Sequence, residues 1–245
     1  MYELRTYRSW VRDDDLVCFE VVVKETDLFI RAEKNLRRKA LRAILKHRSS
    51  LEKYIKQHPE FLNSLEPIEV GEEAPYIVKE MAKAGERAST GPMAAVAGAI
   101  AECVGRELLP FSSEIIVENG GDIFLKLSKR RLIGVYAGSS PLSGRVALEI
   151  EPNETPLGVC TSSGTVGPSL SFGQADAVVV LSDSAALADA AATAIGNQVK
   201  RESDIPRGLE FARGIPGVRG VVIIKGREMG IWGKVRIKPV ATPFH

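Results

Sequence analysis

Apolar positions recur along this chain in two rhythms, one of period two and one of three to four. Residues 16–23 are apolar and rich in valine, and residues 26–31 follow a short polar turn at Lys24 and Glu25, which predicts two strands. From 33 to 57, Leu36, Ala40, Ile44, Leu51 and Ile55 return at threes and fours, which predicts a helix closed by Pro59. Residues 67–75 are acidic, proline-flanked and irregular, and read as a loop. A polar helix is expected over 76–88. A second begins at Gly91 and Pro92, with Ser89 or Thr90 able to cap it and small residues running to Gly98. Strands are expected over 114–118 and 123–127 on either side of an Asn-Gly-Gly-Asp turn, then over 132–137, 144–150, 157–161 and 175–181. A helix over 184–200 precedes a tail of turns and strands, 220–225, 226–230 and 231–239, read as another hairpin.

Both parts of the chain repeat a strand, small-residue helix, strand arrangement. The expected fold is therefore α+β, with mixed, mainly antiparallel sheets, helices packed against them and two similar halves. Residues 1–75, carrying the first strands and the basic helix, are expected to join residues 76–245 in one compact domain, since 245 residues bury a substantial core without disulfides or metal.

Charge and composition narrow the chemistry. The formal net charge of +2 argues against a dedicated nucleic-acid binder. The helix over 33–57 is nevertheless basic, with Lys34, Arg37, Arg38, Lys39, Arg42, Lys46, Arg48, Lys53 and Lys56. It reads as a solvated outer face whose side-chain stems cover core, or as a face for an acidic partner or membrane surface. It lacks interleaved aromatic residues, which disfavours nucleic acid. Cys18, Cys103 and Cys160 are widely spaced, which fits a reducing compartment; Cys18 and Cys103 read as buried structural thiols, and Cys160, just before Thr161, stands near a candidate loop as a packing thiol or a site residue. The three histidines, His47, His58 and His245, lie outside the glycine-rich stretches, so a His-rich zinc site or a Ser-His-Asp triad is not expected. The start of the chain has no long apolar core of a secretory signal, and no stretch approaches a membrane span, so a cytoplasmic protein is expected.

Three stretches carry candidate chemistry. Asp189 and Thr193 are four positions apart in an alanine-rich helix, so a carboxylate and a hydroxyl share one unobstructed face. Asn119, Gly120, Gly121 and Asp122 form a turn in which backbone can approach a ligand closely and which ends in a carboxylate. Thr161, Ser162, Ser163 and Gly164 open a hydroxyl- and glycine-rich loop running to Ser169. Together they suggest a phosphate-bearing ligand held with a divalent cation, because hard cations prefer oxygen donors. The helix beginning at Gly91, Pro92 and Met93 adds an N-terminus whose free N–H groups suit an anion. A solvated Asp189, an ordinary Gly-Gly-Asp turn and a flexible loop remain the plainer readings of the same residues.

These blocks resemble the ApbE-like superfamily, whose best-known members are the FAD:protein FMN transferases, and in particular its compact, cytosolic branch. The likeness covers roughly residues 76–235. The segment from Asp189 to Thr193 is similar to the family's Asp-x-x-x-Thr block. Asn119 to Asp122 is similar to its Gly-Gly-Asp turn, and Thr161 to Gly164 to its Thr-Ser-Gly turn. Gly91, Pro92 and Met93 stand near its glycine-rich helix start. The resemblance implies two T-fold-like halves, with Mg2+ on Asp189 and Thr193. It also implies FAD held near Gly91, Met93, Asn119, Gly120, Gly121, Thr161, Ser162, Ser163 and Gly164, with Asp122 and Asp189 in catalysis.

The chain also departs from the transferases. Ala97 stands where they tend to carry a lysine, the link from Gly164 to Asp176 is short and lacks their His-containing Asp-Pro-x-x-Gly segment, and no export signal is present. The alternative is a non-flavin accessory protein in anaerobic sulfur assimilation to homocysteine, acting beside an iron–sulfur protein. The sequence is compatible with a homo-oligomer and does not decide for one.

Overall fold

The computed structural model describes residues 15–165 and 172–240. The chain start, residues 166–169 of the expected hydroxyl-rich loop, and His245 lie outside the described residues. In chain order the elements are β1 (Val17–Val23), β2 (Thr26–Ala32), α1 (Arg37–Gln57), α2 (Glu60–Asn63), α3 (Tyr76–Ala88), α4 (Val96–Leu108), β3 (Ile115–Asn119), β4 (Asp122–Lys126), β5 (Arg131–Gly134), β6 (Val146–Ile150), β7 (Leu157–Ser162), β8 (Ala177–Ser182), α5 (Ala185–Gly196), α6 (Ile205–Arg213), β9 (Val218–Lys225), β10 (Glu228–Gly233) and β11 (Ile237–Pro239).

Eight strands form one antiparallel sheet in the order β1-β2-β3-β4-β7-β8-β9-β10. The order is a duplication made visible. In each half a hairpin is followed by helices and then by a second hairpin laid beside the first, and β4 pairs with β7 to join the halves. The fold is α+β, with mainly antiparallel sheets and helices packed on them, as the sequence implies.

Both faces of the large sheet are covered, which is why β3 and β8 are buried along their whole length and β8 reads as a nearly continuous apolar run. Leu28, Ile30, Val117, Phe124, Val180 and Ile223 face the helices. Ile116, Leu125, Val179, Leu181, Val222 and Ile224 face a second sheet of order β11-β6-β5, which supplies Ile133, Val146, Leu148 and Ile150. That second sheet corrects the expected tail. The run over 231–239 breaks after Gly233, which is left-handed at φ 84°, and its last three residues pair with β6 instead of extending a hairpin. Residues 33–36 likewise stay outside α1, which starts at Arg37.

The basic helix α1 buries Ala40, Ala43, Ile44 and Leu51 and turns its charges outward, as an amphipathic outer helix should. His47 is largely buried on it, and burial pulls its pKa down despite the Glu107 carboxylate 2.8 Å away. Among the described residues no helix is long and apolar enough to cross a membrane.

Candidate functional site

The Asn-Gly-Gly-Asp turn is the tight hairpin that its sequence predicts. Asn119 pairs with Asp122, and the two residues between them, Gly120 (φ 68°) and Gly121 (φ 103°), are both left-handed. The turn is tied on both sides of the sheet. Glu118 Oε1 accepts the Gly121 N–H at 2.8 Å, and Asn119 Nδ2 donates to the Ala97 carbonyl at 3.1 Å, binding the hairpin to the first turn of α4.

Asp122 shares the helix-facing side with Phe124 and is 7% exposed. Its Oδ1 is buried and has no hydrogen-bond partner among the described residues. Burial pushes its pKa well above the usual carboxylate range, and the nearby Asp189 carboxylate pushes the same way. The Cys160 thiol and the Thr161 N–H hydrogen-bond to it and offset only part of this.

Asp189 reaches that position because α5 lies against β7 at very short range. A Cβ on Gly158 would sit 2.4 Å from Ala185 Cα, and one on Gly98 would sit 2.2 Å from the Ala185 carbonyl oxygen. Ala185 is thus held between two glycines, and the alanine-rich helix is a packing device as well as an open face. Farther along, a Cβ on Gly196 would lie 3.8 Å from Ser162 Oγ, so helix and strand keep company over their length.

The helix start expected at Gly91, Pro92 and Met93 is a 3-10 turn, Pro92–Ala95, and the α-helical start that follows at Val96 is capped from within the chain. Asp189 Oδ2 accepts the Gly98 N–H at 2.9 Å, and Ala97 N–H bonds the same carboxylate. These contacts and the helix dipole favour the charged form, yet burial outweighs them and lifts Asp189 to about 7. Two neighbouring carboxyls, Asp122 buried and Asp189 half-buried, are both held toward the protonated form and leave the site short of positive charge.

Glu102, which sequence reasoning passed over, completes the arrangement from the other helix. It is buried on α4, where Oε2 accepts the Ala185 N–H at 2.7 Å and Oε1 takes Arg106 at 2.7 and 2.9 Å. Cys160 is the thiol of β7 that faces the helices. It is fully buried, within hydrogen-bond reach of Asp122 and of the Ala185 carbonyl (3.3 Å), with its pKa raised by burial.

The remaining expected residues are dispersed around this centre. Thr193 is half-buried one turn beyond Asp189. Thr161 and Ser162 end β7, with Thr161 beside Gly121. Ser163 Oγ accepts the Thr165 N–H at 3.1 Å, and Gly164 donates to the Ala175 carbonyl at 2.9 Å, folding the loop back on the segment before β8. Gly91 packs away from them, since a Cβ there would meet the Ser64 carbonyl oxygen at 1.8 Å. Met93, in the 3-10 turn Pro92–Ala95, packs half-buried on the core.

Among the described residues, no group of three or more His, Cys, Asp or Glu side chains is arranged to hold a metal ion. Any cation here needs hydroxyl, backbone or ligand oxygens besides the carboxylates.

Residues 8–210 match the family described as AbpE bacteria. The chain belongs to that family. This ApbE-like chain is 47% identical over 176 residues to a UPF0280 protein of Methanococcus aeolicus, covering 71% of this chain and 68% of the relative. It is 46% identical over 180 residues to one of Methanocaldococcus jannaschii, covering 72% and 73%. A Methanosarcina barkeri UPF0280 protein is 43% identical over 216 residues, covering 87% and 85%. The ApbE-like fold is shared with the apo flavinyl transferase ApbE of Pseudomonas stutzeri, at a TM-score of 0.57 and 14% identity over 89% of this chain and 93% of that one. The ApbE protein of Thermotoga maritima superposes with a TM-score of 0.59 at 13% identity, over 88% and 96%.

Proposed function

We propose that this ApbE-like chain binds a phosphate-bearing ligand of the flavin type together with a divalent cation, at the Asp122–Asp189 pair. The single observation that carries the reading is the buried, partnerless Oδ1 of Asp122 beside an Asp189 carboxylate lifted to about 7. Unpaired buried charge is costly, and it persists at sites that meet a counter-charge from outside. The donor set is oxygen-rich, with Asp189 and Thr193 one turn apart and Asp122 opposite, which suits Mg2+. Asp189 and Thr193 hold the cation, and Asp122 supplies charge or orientation from the hairpin. When bound, Mg2+ offsets charge on phosphate oxygens, including any that develops during phosphoryl transfer. Asn119, Gly120, Gly121, Thr161, Ser162, Ser163 and Gly164 form the polar rim, and the Glu118 and Ala97 contacts hold the turn in register. Gly91 and Met93 support the helix start from behind. The ApbE name of the structural neighbours adds FAD as the first ligand to try.

Calorimetry and flavin fluorescence with FAD, with and without Mg2+, test this. We expect Mg2+-dependent binding that weakens at least ~10-fold in Asp189→Ala, the loss of one charge-assisted contact. No FAD binding by the wild type, or an unchanged Mg2+-dependent affinity in folded Asp189→Ala, overturns it.

A further inference from the structure

The chain carries two adjacent surfaces of opposite sign that it neutralises only in part, through Lys46 with Glu107 and Arg48 with Glu25 and Glu52. Residues 34–51 contain no Asp or Glu, and residues 57–78 contain no Lys or Arg. On α1, Arg37, Arg38, Arg42, Lys53 and Lys56 are exposed and make no ion pair among the described residues. After α2, Glu66, Glu69, Glu72 and Glu73 are exposed and make none either. Each surface also exposes a pair of leucines, Leu41 (39%) and Leu45 (50%) on the basic side, Leu62 (49%) and Leu65 (60%) on the acidic side. Leucine pairs flanked by charge are the makings of an interface with an apolar centre and a polar rim.

We infer that these surfaces pair between two copies of this chain, α1 of each lying on the 60–73 segment of the other. The surfaces are complementary in sign, and both carry what a partner's leucines need. Between α1 and the β1–β2 turn runs a groove of about 230 Å³ lined by Val23, Leu45, Lys53 and Lys56, in which Lys24 and Arg48 are already paired with Glu52 and the two lysines of α1 are the charges left for a partner. Leu65 followed by Glu66 matches that groove, apolar group to Val23 and Leu45 and carboxylate to the two lysines. A two-fold axis makes the contact reciprocal and so uses both surfaces of both copies. The α1–α2 corner that presents them together is fixed by Tyr54, whose ring stacks on His58 and meets Phe61 edge-on.

Sedimentation of the full chain at micromolar concentration, at 50 mM and 500 mM NaCl, gives the first reading. A dimer at low salt that weakens at high salt is expected, because the Debye length falls from about 14 Å to about 4 Å over that range. A monomer at both salts overturns the proposal. Charge exchange gives the second. R38E/R42E and E66K/E69K alter exposed positions only, and each alone should raise the dimer dissociation constant at least ~10-fold. Mixed in equal amounts they should form a dimer again, since each reversed surface then meets its complement. Dimers that persist in either variant, or no recovery on mixing, overturn the proposal. Should a variant fail to fold, L65S and the salt series on the wild type decide in the same two directions. Binding of the wild-type basic face to vesicles containing phosphatidylserine, with the chain monomeric, would assign α1 to a lipid surface instead.

Discussion

Asp189 of α5 accepts the Gly98 N–H of α4 at 2.9 Å, while Glu102 of α4 accepts the Ala185 N–H of α5 at 2.7 Å. Each helix thus caps the start of the other with a carboxylate, and the pair fixes α5 across the sheet. The two caps differ in their surroundings. Glu102 has Arg106 as a counter-charge, and Asp189 has another buried carboxylate as its neighbour. The first is a structural cap, and the second is a cap with charge to spare.

Glu102→Ala should therefore act as loss of a structural cap. It leaves the Ala185 N–H buried without a partner and frees Arg106, at a cost of about 1–2 kcal/mol. Urea unfolding should show this as a lower midpoint with an unchanged slope. Glu102→Gln keeps an acceptor oxygen and should lose less. Equal losses for Gln and Ala would mean that the charge, and not the cap, carries the effect.

The geometry of the candidate site is legible in the sequence where it is local. Two consecutive glycines fixed the hairpin, and a spacing of four put Asp189 and Thr193 on one face. What joins these parts is not local. Asp122 and Asp189 meet only because Gly158 and Gly98 admit Ala185 so closely, and neither glycine announces that partner in sequence. For the same reason the helix start at 91–98 looked open. Its capping carboxylate lies 91 residues downstream of Gly98. The second sheet was hidden differently, because a left-handed Gly233 redirects a run that alternates like a single strand.

The carboxylate pair makes a reversed pH dependence. Folding raises the pKa of Asp122 and of Asp189, so the folded chain binds protons more tightly than the unfolded chain. The contribution of Asp189 is full below the unfolded value of about 4 and is lost as pH rises through about 7, and that of Asp122 is lost as pH rises well above the usual carboxylate range. His47, pulled down by burial, acts with the opposite sign but is common to wild type and site variants. Asp122→Asn should therefore raise Tm at pH 8 by about 2–4 °C, equivalent to ~1 kcal/mol, and change it little at pH 4. Scanning calorimetry of the two proteins from pH 4 to 8 checks this. An Asn variant less stable at pH 8 would show that the buried charge is already compensated.

The three cysteines should separate by reactivity. Cys18 is exposed on β1, which corrects the expectation of a buried thiol, whereas Cys103 is buried with its pKa pushed up to about 12, and Cys160 is pushed up by burial and by the Asp122 and Asp189 carboxyls. Iodoacetamide at pH 8 should modify one thiol in the native chain and all three in urea, counted by intact mass. Rapid native labelling of Cys160 would show that the site beside Asp122 opens far more than its packing implies.

The last prediction concerns the glycine that seats α5. A Cβ on Gly158 would fall 2.4 Å from Ala185 Cα and 2.7 Å from Ala185 N. These are backbone atoms with no rotamer to change, so Gly158→Ala forces the start of α5 off β7. Overpacking of this kind costs about 1–3 kcal/mol, read as a fall in Tm of about 2–4 °C per kcal/mol for a chain of this size. Because the clash is with backbone, adding Ala185→Gly should not restore stability. The displacement also carries Asp189 away from Gly98 and Asp122, so any Mg2+-dependent ligand binding should weaken together with stability. A Gly158→Ala protein of full stability, or one rescued by Ala185→Gly, would show that the helix start has room to move and that this contact does not set the position of Asp189.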